Sequence, residues 1–174
     1  MTQLPQVGIL PKQEIEAAQA TIAELNNYKS RNWAIGINGD TLQPDGFLKF
    51  FLERNLPFNY YLRNYASIGD PSAYDINIST LENYIDSVRV QEAQACSGII
   101  DELKSYKERY WAIGLNGDSL QPDGFLTFFG VRNLPFQFFV QSQGVSLGDY
   151  SAYDQNVATL ESYMYSFGLA VPAA

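Results

Sequence analysis

Two acidic stretches carry the residues best suited to chemistry. Asp40 and Asp45 stand with Asn38 in the first, and Asp118 and Asp123 stand with Asn116 in the second. Oxygen ligands of this kind suit calcium, and two close carboxylates suit acid–base work. The spacing departs from an EF-hand loop, which alternates its oxygen ligands and ends on a distal Glu. The same residues also fit a turn followed by a helix start. Asn-Gly accommodates positive φ, and aspartates near a helix N-terminus accept from its free amides and are favoured by its dipole. Asp40, Asp45, Asp118 and Asp123 are therefore the candidates for a metal, set against a turn-and-cap reading that needs none; no cofactor is expected.

Other constellations are harder to build. The chain has no histidine and one cysteine, Cys96, so nucleophilic triads and the usual zinc, copper and haem sites lose their commonest parts. A lone Cys96 on a helical stretch makes no internal disulfide and reads as a small buried residue. The expectation is a protein that is not an enzyme.

The two acidic stretches are halves of a duplication. Trp33-Ala34-Ile35-Gly36-Ile37-Asn38-Gly39-Asp40-Thr41-Leu42-Gln43-Pro44-Asp45-Gly46-Phe47 returns as Trp111-Ala112-Ile113-Gly114-Leu115-Asn116-Gly117-Asp118-Ser119-Leu120-Gln121-Pro122-Asp123-Gly124-Phe125. The offset stays at 78 from Gln13 and Gln91 through Phe58 and Phe136, and a one-residue insertion follows before Ser67, Gly69 and Asp70 recur as Ser146, Gly148 and Asp149. A repeat of this kind sets the architecture. We read residues 1–12 as an extended arm, 13–90 as the first helical repeat, 91–168 as the second and 169–174 as a tail.

Four helices are expected per repeat. Helix A starts at Pro11, carries Ile15, Ala18, Ile22, Leu25, Tyr28 and Ile35 on one stripe, and ends near Ile35 with Gly36 as its left-handed cap. A short strand over Trp33 to Ile37 competes with that ending. Helix B, with Pro44 in its first turn, runs to about Arg54 and is ended by Asn55 and Pro57. Helix C opens at Pro57 and is rich in aromatics. Helix D follows Gly69-Asp70-Pro71, with Tyr74, Ile78, Leu81, Ile85 and Val88 spaced by fours and threes. Between helix D and the second helix A, from Val88 to Cys96, stands no proline or glycine, which leaves open either one rod from Pro71 to Tyr106 or a bend at Ser97-Gly98. The fold class is all-α: a tandem duplication of a four-helix unit of about 78 residues packed into one compact body.

Differences between the copies point to surfaces. In helix B, Phe47, Phe50, Phe51 and Arg54 recur as Phe125, Phe128, Phe129 and Arg132, whereas Lys49, Leu52 and Glu53 become Thr127, Gly130 and Val131. In helix C, Tyr60 and Tyr61 become Phe138 and Phe139. The second copy's outer face is expected to be covered by a protein partner, through Thr127, Gly130, Val131, Phe138 and Phe139. The aromatics also permit a rival reading in which Trp33, Phe50, Phe51, Trp111, Phe128 and Phe129 line a pocket for a pigment or lipid.

A net charge of −8 and a pI near 4.4 argue against nucleic acid, whose phosphates demand clustered Lys and Arg. No apolar run is long enough to span a bilayer, and no basic-then-apolar leader opens the chain. We expect a cytoplasmic protein, or one inside a virion or other particle. Its expected role is that of a non-enzymatic assembly or adaptor subunit, oligomeric or part of a larger assembly.

The stretch Tyr60-Tyr61-Leu62-Arg63-Asn64-Tyr65-Ala66-Ser67-Ile68-Gly69-Asp70-Pro71-Ser72 resembles the helix–turn–helix segment of phycobiliproteins, the bilin-carrying antenna proteins. The resemblance covers a small part of the chain, occurs twice, and lacks the bilin-bearing Cys nearby. It implies an association with a light-harvesting antenna, in keeping with the pigment-binding alternative.

Overall fold

The computed structural model describes residues 10–36, 46–63, 68–113, 124–142 and 145–168. The described residues are mostly helical. The elements are α1 (Pro11–Arg31), α2 (Gly46–Glu53), α3 (Ala73–Arg109), α4 (Gly124–Val131), β1 (Val140–Ser142), β2 (Val145–Leu147) and α5 (Ala152–Ser166). The chain divides into two compact units, Met1–Arg89 and Val90–Ala174, where the composition led us to expect one body. No described helix is long and apolar enough to cross a membrane.

In the first unit, α1 starts with Pro11 in its first turn, where the missing N–H costs nothing, and the Gln13 side chain accepts from the Leu10 amide at 3.3 Å. Ile15, Ala18, Leu25 and Tyr28 face inward. The helix ends four residues earlier than expected. Asn32 adopts the left-handed conformation (φ 55°), its N–H bonds Lys29 O at 3.1 Å and the Trp33 N–H bonds Tyr28 O at 3.0 Å. This two-bond closure satisfies the last carbonyls without Gly36. Ile35 then exchanges two backbone hydrogen bonds with Tyr61, at 2.7 and 2.8 Å, in a single antiparallel bridge. The strand alternative is thus the nearer of the two readings at Ile35.

Helix α2 buries Phe47 and Phe51 and ends as Asn55 turns left-handed (φ 58°), with the Leu56 N–H bonded to Phe51 O at 2.8 Å. Pro44 and the start expected there lie outside the described residues, as do Asp40, Asp45, Asp118 and Asp123.

Among the described residues helix C does not appear: 57–63 carry no helical turn, and the backbone groups of Asn59 find a side-chain partner. The Asn59 N–H donates to Asn77 Oδ1 at 2.9 Å while Asn77 Nδ2 donates to Asn59 O at 2.8 Å, so one buried side-chain amide stands in for a neighbouring strand. Leu56, Phe58 and Tyr60, two residues apart, are partly buried, which is the period of extended chain. The four-helix unit is corrected accordingly, and with it the helix–turn–helix form implied by the antenna resemblance.

Helix α3 runs unbroken through Ser97-Gly98, giving the continuous alternative. Tyr74, Leu81, Ile85 and Val88 are buried and Ile78 packs partly buried against them, followed in the second unit by Cys96, Ile99, Ile100, Leu103 and Tyr106.

The second unit repeats these contacts. Ile113 and Phe139 form the bridge at 2.7 and 3.0 Å, Asn133 (φ 59°) closes α4, and Asn156 pairs both backbone groups of Gln137 at 2.8 and 2.9 Å. Beyond the bridge, β1 and β2 form an antiparallel ladder with Val140 opposite Leu147 and Ser142 opposite Val145.

Two glycines cannot be replaced freely. A Cβ on Gly69 (φ 80°) would stand 2.1 Å from Tyr60 O, and one on Gly148 (φ 74°) 1.9 Å from Phe138 O. Gly98, inside α3, meets nothing within 4 Å. Gly69→Ala and Gly148→Ala should each lower the unfolding free energy by about 1–3 kcal/mol. Gly98→Ala should raise it by roughly 0.5–1 kcal/mol; urea midpoints of the three variants check both signs.

Candidate functional site

The densest chemistry among the described residues is a buried cluster present once in each unit. Glu14 lies on the apolar stripe of α1 and is 1% exposed. Its carboxylate accepts from Arg54 Nε, from Arg54 Nη2 at 3.1 Å and from the Tyr84 hydroxyl on α3. Arg54 also donates to Phe50 O at 3.0 Å, satisfying a terminal carbonyl of α2, and its guanidinium lies 3.6 Å from the centre of the Phe50 ring. In the second unit Glu92 accepts from Arg132 Nε at 2.7 Å, Arg132 Nη2 at 3.1 Å and the Tyr163 hydroxyl at 2.6 Å. Arg132 donates to Phe128 O at 3.1 Å and sits 3.6 Å from the Phe128 ring centre.

The electrostatics are those of a closed pair. Burial alone would pull each guanidinium pKa down, but the hydrogen-bonded glutamate outweighs it, and Arg54 and Arg132 are both raised. Burial pushes the Tyr84 and Tyr163 phenols up, and the adjacent carboxylates push them further. The Cys96 thiol is buried one helical turn beyond Glu92 and is pushed up to about 12, by burial first and by Glu92 second. It is held as an inert thiol. With two guanidinium donors and a phenol on each carboxylate, the arrangement ties an α1-type helix, the end of a short helix and the following long helix together.

A second arrangement sits beside the Ile35 and Ile113 bridges. The Tyr74 hydroxyl donates to Trp33 O and the Tyr153 hydroxyl to Trp111 O. Lys29 pairs with Asp75 and Lys107 with Asp154, each at 2.8 Å, on the surface, where such pairs contribute little.

The expected interface residues separate. Thr127, Gly130 and Val131 are exposed on α4, Val131 at 52%. Phe138 is partly buried, edge-on to Phe136 at 5.1 Å. Phe139 is corrected: it is 2% exposed and packs on Tyr110, Tyr150 and Tyr153 inside its own unit. Of the expected ligand-lining residues, Phe51 and Phe129 are fully buried and packed edge-on against Phe58 and Phe136 at 5.0 Å. Phe50 and Phe128 lie under the two guanidinium groups, while Trp33 and Trp111 are half-exposed, edge-on to Tyr28 and Tyr106. No cluster of three or more metal-ligating side chains occurs among the described residues.

Sequence reasoning missed the buried clusters. The available signal was a glutamate at the same place in both copies, Glu14 and Glu92, adjacent to apolar stripe residues, with a retained arginine forty residues on. No family model, no curated protein and no solved structure matches the chain.

Two outcomes test the clusters. Glu92→Ala leaves Arg132 buried without its partner and should cost about 3–5 kcal/mol; a double-mutant cycle with Arg132→Met should recover much of the loss. The raised phenols and thiol are neutral in the folded state. Their stabilisation is complete below the ordinary values, about 8.5 for the thiol and about 10 for the phenols, and is lost as pH rises toward the higher folded values. Denaturation midpoints should therefore hold near neutral pH and fall above about pH 8.5, with tyrosinate absorbance showing a late-titrating class that Tyr84→Phe and Tyr163→Phe shrink but, since Tyr74 and Tyr153 are also raised, do not abolish.

Proposed function

We propose that the protein is a non-enzymatic assembly or adaptor subunit of a larger protein particle, acting through the exposed face of α4. The observation that carries this reading is the contrast between the two sides of α2 and α4. Inward residues match between the copies, Phe47 with Phe125 and Phe51 with Phe129, and all four are buried. Outward residues do not: Lys49, Leu52 and Glu53 are exposed in the first unit, and Thr127, Gly130 and Val131 are exposed in the second.

An exposed face that has exchanged a charged pair for small and apolar residues is a surface suited to another protein. Gly130 has nothing within 4 Å of a built Cβ, which leaves room for close backbone approach. The acidic balance and the buried, mutually satisfied clusters fit the same role. On this reading the tandem repeat supplies two copies of one rigid building unit of about 78 residues, in the cytoplasm or within the particle.

Val131→Glu, which restores the first unit's residue, should weaken association about tenfold or more, as a buried unpaired charge demands. Stability should change by less than about 0.5 kcal/mol. Native mass spectrometry of protein taken from its source checks this. Unchanged complexes with the variant would sink the reading, and a monomer carrying a few hundred daltons of ligand would favour pigment or lipid binding instead.

A further inference from the structure

A group of residues near the Ile35 bridge in the first unit differs in type at the matching positions of the second. Ser30, Asn32, Tyr61, Arg63 and Pro71 become Glu108, Tyr110, Phe139, Gln141 and Tyr150. In the first unit the group is polar. The Asn32 amide, turned so that its oxygen faces Arg63, accepts from Arg63 Nε at 3.0 Å and Nη1 at 3.2 Å. Arg63 is exposed, and Arg31 lies 4.8 Å over the Trp33 ring.

In the second unit the group is aromatic. Tyr110 meets Tyr150 at 5.1 Å and Phe139 at 5.3 Å, and the Tyr150 hydroxyl donates to Lys107 O at 3.2 Å. Tyr110, Tyr150 and Trp111 nevertheless remain 44%, 41% and 38% exposed. Tyr110 also holds φ 58°, where the first unit has Asn32 at 55°. Asparagine tolerates that region, whereas a tyrosine there works against its own Cβ. The ring is kept half in solvent despite this cost.

The charge balance shifts with the aromatics. In the stretches of the first patch Lys29, Arg31 and Arg63 stand against Asp70 and Asp75; in those of the second, Glu108, Asp149 and Asp154 stand against Lys107, Arg109 and, one turn earlier, Lys104. The adjoining residues 64–67 and 143–144 carry no charge, and the two acidic stretches are equally charged. The first patch is thus the more cationic of the two, with the exposed Arg63 guanidinium held by Asn32, and the second presents exposed tyrosine and tryptophan rings. Arginine over an aromatic face is a favourable pair, and opposite local charge selects the orientation of docking.

We propose that the protein associates head to tail with a second copy of itself, the Arg63 patch of one copy docking on the Tyr110–Tyr150–Trp111 patch of the next. This rests on the assembly reading but uses a different face from α4. A contact between two unlike surfaces is heterologous, so each copy keeps one patch free and the chain of copies can extend.

Sedimentation and native mass spectrometry of the purified chain at low ionic strength test it. The wild type should form a concentration-dependent series that weakens as salt shortens the Debye length from about 30 Å to about 3 Å. Arg63→Gln and Tyr110→Asn, each the other unit's residue, should separately weaken association at least tenfold. Mixed in equal amounts, the two variants should give a one-to-one dimer and nothing larger, because one intact interface remains. Glu108→Ser, at an exposed position, repeats the test should Tyr110→Asn disturb folding. A monomeric wild type, a single variant that still forms the series, or a mixture without the dimer would each overturn the proposal. If Val131→Glu disrupts the native complex while the purified wild type stays monomeric, this inference fails and the assembly reading stands.

Discussion

Everything in each unit depends on a carboxylate that has been taken out of water. Glu14 and Glu92 sit at 1% and 2% exposure, where an unpaired charge would cost far more than a hydrogen bond returns. The solution is the same in both units: a planar guanidinium that meets both oxygens, and a phenol that fills a further lone pair. Because the arginine also holds a carbonyl of the short helix, the pair fixes where that helix ends. The phenol comes from the next long helix, so three elements are registered by one anion. Replacing the cluster with apolar residues of similar volume would be the usual way to gain stability. Its presence in both copies is consistent with a role in fixing register.

Around that fixed frame the units are free to differ at their surfaces. The core rings Phe47, Phe51, Phe125 and Phe129, the asparagines Asn77 and Asn156, and the bridges at Ile35 and Ile113 hold the same contacts in both. What has changed are outward positions on the short helices and the group near Tyr110. Asn32 and Tyr110 show how far the frame constrains them: the backbone keeps the left-handed turn although the side chain no longer suits it.

The helices with a clean 3.6 period were legible in the sequence. The stripe of α1 and the Tyr74-to-Val88 pattern of α3 were read from residue types, whereas the sequence left a continuous rod and a bend at Ser97-Gly98 both open. The errors have physical causes. A run dense in aromatics at residues 57–61 looks apolar at every spacing, which hid the two-residue alternation of Leu56, Phe58 and Tyr60. The Asn77 amide that pairs this extended chain lies eighteen residues away, and nothing local announces it. Gly36 was the more obvious cap, yet the carbonyls of Tyr28 and Lys29 were within reach of Asn32 first. The buried clusters were invisible for a related reason. A lone glutamate beside an apolar stripe reads as the stripe's wet edge until its partners, forty and seventy residues on, are brought to it. Phe139 was assigned outward because its counterpart Tyr61 carries a hydroxyl, but both are buried.

The reach of those partners bears on how the chain is made. Glu14 leaves the ribosome well before Arg54 and Tyr84, and Asn59 before Asn77, so the first unit's polar groups stay hydrated until the beginning of α3 has emerged. Tyr84 lies within a helix that continues into the second unit, whose own cluster waits for Tyr163. Synthesis thus proceeds through a stage in which α3 has one half packed and the other half displaying Cys96, Ile99, Ile100 and Leu103 with no core yet behind them. Nascent chains fold by units from the N-terminus. For this molecule the second half of α3 is the surface on which a chaperone, or a neighbouring nascent chain, would first find purchase.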